Sequence, residues 1–396
     1  MKKTIIVFLP CEWGHPWRGF YLLSALAELM PEMAILCIEN PIDYVISPLK
    51  NYRQWRKNHR KQKKVRTVKP NLFVYQPWIF LNTNFAVKIP FLDYINRKVL
   101  KRQISKILEQ AAMPSSLIVW LTDPFQLSYA DLFPGVLKIF DCFDDYTMRV
   151  YNRFFRTKKE LIAKEDEILA TADMTLVVSQ ELYEAKQAKT KNLRLISNAA
   201  DIRHFGKVDD PDIVVAKEMQ QLPSPVIGFV GNFSYRIDTD LISWIAERNK
   251  DWTFVFIGSR MHYKEMRELQ AAHRNIHLFE FRPYEKLPSY IKAFNVCIIP
   301  YKMDSMFSRF CSPLKVYEYL ATGKPVVSTD LPGVADFSGI VRIAHNDKNF
   351  ESQIRESLRE DGQLAEKRKE IAAKHSWQIR AAEVKDILVQ ITEVRG

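Results

Sequence analysis

Short unbroken apolar runs, separated by polar stretches of helical period, set the pattern of this chain. The run Thr4–Leu9 precedes a helical pattern over Phe20–Leu29, and Met33–Ile38, Leu72–Tyr75, Leu117–Leu121, Leu137–Phe140, Met174–Val178 and Leu193–Ile196 continue the series. Runs without polar alternation suit strands buried on both faces, as in parallel sheets covered by crossover helices. Residues 206–225 break the pattern with acids, prolines and glutamines and read as a linker. A second series follows: Val226–Val230, Thr253–Ile257, Ile276–Leu278, Val296–Ile299 and Val326–Ser328, with helical patterns at Asp240–Glu247, Glu265–Ala272 and Pro288–Ala293 between them. Two successive β/α series predict an α/β protein of two doubly wound, Rossmann-like domains facing each other across a cleft. Their expected bounds are 1–205 and 206–375, with a final helix over 376–396 packing back on the first domain. A chain of 396 residues is long enough for two cores.

Within the second series, residues 312–329 (SPLKVYEYLATGKPVVST) carry the most chemistry. Ser312 reads as an N-cap and Pro313 as the first helical residue, where a missing N–H costs nothing. Gly323 and Pro325 stop the helix, and a buried strand follows. The free N–H groups at such a helix start, aided by the dipole, form an anion site. Glu318 lies five residues past Pro313, about 7.5 Å along the axis. A diphosphate at the helix mouth leaves a ribose within reach of that carboxylate. Spacing alone equally allows a helix–strand unit whose acid has no ligand.

Charge changes the picture more than composition does. Residues 1–200 hold 30 Lys and Arg against 19 Asp and Glu, so most of the net +12 sits in the first half. Residues 50–69 hold ten basic residues and no acid, with Tyr52 and Trp55 among them. A solvated helix face, a nucleic acid and an anionic membrane surface all fit that composition. No stretch of eighteen apolar residues occurs, so no transmembrane helix is predicted. The basic and apolar N-terminus ends at Pro10, Glu12 and Trp13 without a small-residue cleavage site, and reads as a first strand rather than a signal peptide. Five scattered cysteines without a CxxC pair read as reduced thiols of a cytoplasmic protein. Asp141, Asp144 and Asp145 cluster in sequence but do not by themselves imply a metal. GxSxG, HExxH and phosphate-loop motifs are absent.

Taken in order, the motifs of the second half resemble those of GT-B glycosyltransferases, specifically the group 1, family 4-like retaining enzymes. The resemblance rests on residues 226–232 (VIGFVGN) with Arg236-Ile-Asp238, on 251–259 (DWTFVFIGS), on Phe281–Pro288, on Asn295–Tyr301, and on the 312–329 segment. In the first half, Glu165–Ser179 and Asn198-Ala-Ala-Asp201 with Phe205 look like the family's pattern before the linker. The PLKxYEYLA form is similar to that of bacterial cell-surface polysaccharide enzymes of the teichuronic acid or exopolysaccharide type.

The resemblance implies that Glu318 holds the donor ribose, that the backbone at Pro313, Leu314 and Lys315 takes the diphosphate, and that Arg236 adds positive charge there. It places Tyr284 in the loop over the nucleotide base. Lys315, three residues before Glu318, is equally placed to pair with it. On the acceptor side the expected residues are Gly14, Arg18 and Gly19 of the first loop, with His15 and Asp123 as catalytic candidates; a loop packed by its tryptophans with His15 facing solvent, and an N-cap role for Asp123, fit as well. The family often carries a second glutamate eight positions before Glu318, where this chain has Phe310; Asp304 or Ser308 on the preceding loop is a candidate substitute, and a plain surface loop fits each as well. The implied activity is retaining transfer from a nucleotide diphosphate sugar to a lipid-linked or polysaccharide acceptor. Neither cofactor nor metal is expected, and the basic first domain, chiefly residues 50–69, is expected to hold the enzyme at the inner face of the cell membrane rather than on nucleic acid. An epimerase or phosphorylase on the same fold, or a basic nucleic-acid-binding protein, is the alternative.

Overall fold

The computed structural model describes residues 3–15, 17–45, 65–81, 86, 89–146, 157–258, 263–303, 306–310 and 312–393. Two compact units divide the chain, one of Met1–Ile196 with Ala381–Gly396 and one of Ser197–Arg380.

The first unit is built on strands β1 (Thr4–Phe8), β2 (Ala34–Ile38), β3 (Ile42–Asp43), β4 (Arg66–Lys69), β5 (Leu72–Tyr75), β6 (Trp78–Ile79), β7 (Leu117–Leu121), β8 (Leu137–Cys142), β9 (Met174–Val177) and β10 (Leu193–Leu195). Eight of them form one sheet in the order β10-β9-β8-β7-β1-β2-β5-β4, and β3 pairs with β6 in a small ribbon. All pairs in the large sheet are parallel except β4–β5. Strand β4 was hidden in the sequence because its residues, RTVK, are charged and exposed, as edge strands often are.

The second unit adds β11 (Val226–Val230), β12 (Thr253–Gly258), β13 (Ile276–Glu280), β14 (Val296–Ile299), β15 (Val326–Thr329) and β16 (Arg342–Ala344), all parallel, in the order β13-β12-β11-β14-β15-β16. Strand β11 shows why its run is unbroken. Val226 and Val230 join one core with Val316, Tyr319 and Leu320, while Ile227 and Phe229 join the opposite core with Leu241, Ile242 and Ile245. Gly228 lies against the Phe294 ring, which a Cβ there would meet at 2.2 Å.

Three expectations about organisation need correction. The units part at Ile196, not at residue 205, and residues 206–225 are no free linker: Val208 and Met219 are buried in the core of the second unit. Polar composition concealed these two anchors, too far apart to show a period. The second boundary falls between Arg380 and Ala381, inside the helix Trp377–Glu393, rather than ahead of it.

Candidate active site

Strand order reverses between β11 and β14, and the carboxyl ends of strands at such a reversal are where open α/β sheets bind ligands. There the chain leaves β11 through Gly231, whose N–H donates to the Ile257 carbonyl at 2.9 Å. The following loop is pinned at several points. Phe233 is buried, Ile237 pairs in a bridge with Tyr301, the Asp238 N–H donates to the Pro300 carbonyl, and the Lys302 N–H donates to the Arg236 carbonyl at 2.8 Å. Arg236 is thereby held by its backbone, with a half-buried side chain, at the reversal.

Gly258 controls how closely β11 and β12 approach at this end. A Cβ on Gly258 would lie 1.9 Å from the Gly231 carbonyl oxygen. Gly258→Ala is therefore expected to push the Gly231 turn outward and to cost about 1–3 kcal/mol of stability, as overpacking does. Urea unfolding checks this; an unchanged midpoint would show that the turn has room to move.

Helix Leu314–Ala321 starts beside that turn. Its N-cap position is Pro313, with no side-chain cap, so the expected Ser312 cap and Pro313 first turn are displaced by one residue. Ser312 is engaged otherwise: its carbonyl accepts from Asn198 Nδ2 at 2.7 Å, and its Oγ lies 3.3 Å from the Tyr317 hydroxyl. The Tyr319 hydroxyl accepts the Val230 N–H at 2.8 Å, tying the helix to the end of β11. Neither Asn198 nor Tyr319 stands out as a site residue in the sequence, although Asn198 belongs to a quoted motif. The signal for both is a polar group inside an otherwise apolar or turn pattern, and its partner lies far along the chain.

Lys315 and Glu318 form a close pair, with Nζ 2.5 Å from Oε2. Glu318 is 6% exposed, and Lys315 passes over Gly231, whose added Cβ would sit 3.2 Å from Lys315 Cε. One ammonium, one carboxylate, the helix start and the Gly231 turn are therefore brought together. Of the two open readings for Lys315, the structure shows the pair with Glu318.

Tyr284 opens the short turn Tyr284–Lys286 after β13. Its ring stacks on His204 with centroids 4.0 Å apart, and its carbonyl lies 2.9 Å from His204 Nε2. Burial pushes the His204 pKa down, against the opposing pull of Asp201 and of the hydrogen bond to the Tyr284 carbonyl. A carbonyl only accepts, so the neutral ring donates from Nε2. Ser308, one substitute considered for the missing glutamate, is 1% exposed within Met306–Arg309, and Phe310 is half-buried with the Arg309 guanidinium 5.4 Å from its ring. Asp304 lies outside the described residues.

In the first unit, two acceptor-side expectations are corrected. Arg18 is 3% exposed and bound to Asp141, with Nη2 3.3 Å from Oδ1, and its Nη1 donates to the Ile196 carbonyl at 3.0 Å. It is an internal ion pair, since a buried guanidinium needs its counter-charge. Gly19 is covered by the Trp17 indole, which an added Cβ would meet at 2.0 Å, so the glycine admits a ring of its own chain. Asp123 caps the turn Pro124–Gln126 in a capping box: its Oδ1 accepts from the Phe125 N–H at 2.9 Å, and Gln126 Oε1 accepts from the Asp123 N–H at 3.1 Å. Gly14, with φ +94°, and His15 are both exposed in the first loop.

Among the described residues, no group of three or more His, Cys, Asp or Glu side chains is placed to hold a metal, and no helix is long and apolar enough to cross a membrane. Residues 50–64 of the basic segment lie outside the described residues. Of its remainder, Arg66 pairs with Glu39 at 2.5 Å, and Lys69 pairs with Glu28.

Residues 224–360 match the family model described as Glycosyl transferases group 1. The chain is 26% identical over 259 residues to TuaH of Bacillus subtilis (strain 168), described as a teichuronic acid biosynthesis glycosyltransferase, across 62% of this chain and 63% of that protein. The match thus spans just under two thirds of that relative's length. Among solved structures, sucrose-phosphate synthase from Thermosynechococcus elongatus is similar with a TM-score of 0.71 at 13% identity, covering 99% of this chain and all 100% of that one. The α,α-trehalose 6-phosphate synthase of Burkholderia multivorans is similar with a TM-score of 0.69 at 11% identity over 100% of both chains. HepE of Anabaena, solved with UDP and glucose, is similar with a TM-score of 0.63 at 13% identity, covering 97% of this chain and 99% of that one. At these identities the structural likenesses establish the fold.

Proposed function

We propose that this chain, which has the GT-B fold and carries a group 1 glycosyl transferase domain over residues 224–360, moves a sugar from a nucleoside diphosphate to an acceptor in cell-surface polysaccharide assembly. One observation carries the reading: the Glu318 carboxylate and the Lys315 ammonium converge beside the Gly231 turn, at the start of the helix Leu314–Ala321. An anion at that start meets unsatisfied backbone N–H groups and the positive end of the dipole. The ribose hydroxyls then donate to Glu318, and the Lys315 ammonium is released toward the phosphate oxygens. Arg236 adds charge against the departing nucleoside diphosphate, and Tyr284 borders the base. Charge that develops on the leaving group is what such preorganised donors stabilise most.

The transfer breaks the bond between the anomeric carbon and the diphosphate oxygen, and forms one to the acceptor oxygen. The acceptor proton passes to a departing phosphate oxygen, so the anomeric configuration is retained without a strong protein base. His15 and Gly14 are the acceptor-side residues that remain from the first loop, and Asp123 presents its backbone turn there. The reaction needs neither metal nor cofactor. The acceptor is a membrane-associated lipid carrier or a growing polysaccharide, and the enzyme works at the cytoplasmic membrane face.

Because the solved HepE complex contains UDP, a labelled UDP-sugar is the first donor to test. With a lipid-linked oligosaccharide present, label is expected to enter the acceptor. Isomerised donor formed without acceptor would instead indicate epimerase chemistry on the same fold.

A further inference from the structure

Helix Pro90–Gln110 of the first unit has a face the proposed reaction does not use. Its inner face, Asn96, Leu100, Ile104 and Ile107, is buried. At about 100° per residue, Phe91, Tyr94, Lys98, Lys101 and Arg102 share an arc of about 100° on the opposite side. All five are exposed, with Phe91 at 69% and Tyr94 at 52%. The Lys98 ammonium lies 4.5 Å from the centre of the Tyr94 ring.

Ile89, 48% exposed, adds a large apolar side chain just before the helix start, whereas the exposed Trp78 and Phe80 belong to the flank that Asn96 and Gln103 hold, away from the stripe. Two helix side chains hold the Trp78–Leu81 segment in place. Gln103 Nε2 donates to the Trp78 carbonyl at 2.8 Å, and Asn96 Oδ1 accepts from the Phe80 N–H at 2.9 Å while its Nδ2 donates to the Leu81 carbonyl. Single exposed apolar residues are ordinary; three large ones, Ile89, Phe91 and Tyr94, at one helix end beside a row of cations are not. Their chemistry is also specific. Aromatic rings lead at the N-terminal end of the stripe, and cations follow along the same face, with Glu109 as its acid at the far end.

We propose that this stripe, with Ile89 at its end, is the surface by which the first unit lies on an anionic lipid bilayer. Aromatic rings favour the headgroup boundary, and Lys and Arg on the same face meet anionic lipid. Charge complementarity selects a bilayer over a second copy of the chain, because two such stripes would bring Lys98, Lys101 and Arg102 against their like. The inference deepens the membrane part of the proposed function and rests on it for the class of partner. The surface itself follows from exposure and charge alone.

The full chain sedimented with vesicles of phosphatidylglycerol and phosphatidylcholine, and with phosphatidylcholine alone, tests it. The wild type is expected to bind the anionic vesicles, and Phe91→Ser with Tyr94→Ser to bind them at least about tenfold more weakly. Lys98→Glu with Lys101→Glu is expected to lose binding similarly and to lose its salt dependence. Val214→Ser, equally exposed but in the second unit, is expected to bind as the wild type does. Affinity for UDP, GDP or ADP without vesicles, measured on the same samples, separates the two readings. Vesicle binding without affinity for any of the three leaves the surface standing and removes the transferase, whereas the reverse removes the surface. Undiminished vesicle binding by both double variants overturns the proposal, as does a concentration-dependent dimer that the same variants abolish.

Discussion

Glu318→Ala is expected to weaken binding of UDP, GDP or ADP, whichever base the protein takes, by about one to two orders of magnitude. Hydrogen bonds to a charged group are worth about 1.5–3 kcal/mol, and each 1.4 kcal/mol is about a factor of ten in affinity. The loss should appear in calorimetry of the nucleoside diphosphate without acceptor, because the ribose is held in the ground state as well as in the transition state. In turnover, KM for the donor should rise more than kcat falls. Lys315→Ala provides the contrast. In the structure Lys315 occupies the carboxylate that the ribose needs, so its removal frees Glu318 while taking a charge from the phosphates. The two variants should therefore differ: the first insensitive to removal of the ribose hydroxyls, the second still discriminating ribose from 2′-deoxyribose. Unchanged affinity in Glu318→Ala would falsify the ribose assignment and leave the pair as a structural contact.

The largest effect on stability is expected from Glu360→Ala. Arg368 is 1% exposed, and Glu360 receives it in a fork, with Nη1 2.6 Å from Oε1 and Nη2 2.7 Å from Oε2. Arg368 also donates to the Gly323 carbonyl at 3.2 Å, where the helix Leu314–Ala321 ends, and to the Ile340 carbonyl at 3.4 Å. Truncating Glu360 leaves a guanidinium buried without its counter-charge, which costs about 3–5 kcal/mol. That is a large share of the roughly 5–15 kcal/mol by which folded proteins exceed their unfolded state. Urea denaturation of the variant should show the midpoint falling sharply. Glu360→Ala combined with Arg368→Met should recover part of the loss, because no charge is then left buried. A double variant as unstable as the single one would mean that Arg368 matters through its bonds to Gly323 and Ile340, not through its charge.

These two side chains show different degrees of legibility. Glu318 was readable because its neighbours are local: a proline before the helix, a glycine after it and a strand beyond together fix where a residue five positions on must lie. Arg368–Glu360 was not, since nothing in a polar helix announces which of its cations is buried. Arg18 went further astray. A basic residue in the loop after the first strand fits a ligand contact, yet its partner Asp141 lies 123 positions away and turns it inward. Gly19 looked like room for a substrate and is room for Trp17.

Strand runs, helix stops and the spacing of Glu318 from its helix start belonged to the sequence alone, and with them the α/β class and the two β/α series. These depend on backbone periods and on proline and glycine geometry, which act within a few residues. Tertiary structure decided where one unit ends and the next begins, that Ser312 binds Asn198 and Tyr317 instead of capping the helix, that Arg18 and Gly19 are internal, and which face of Pro90–Gln110 is left to solvent. Each of those outcomes depends on which distant segment supplies the counter-charge, hydrogen-bond partner or covering ring, and that choice is made only when the sheets assemble.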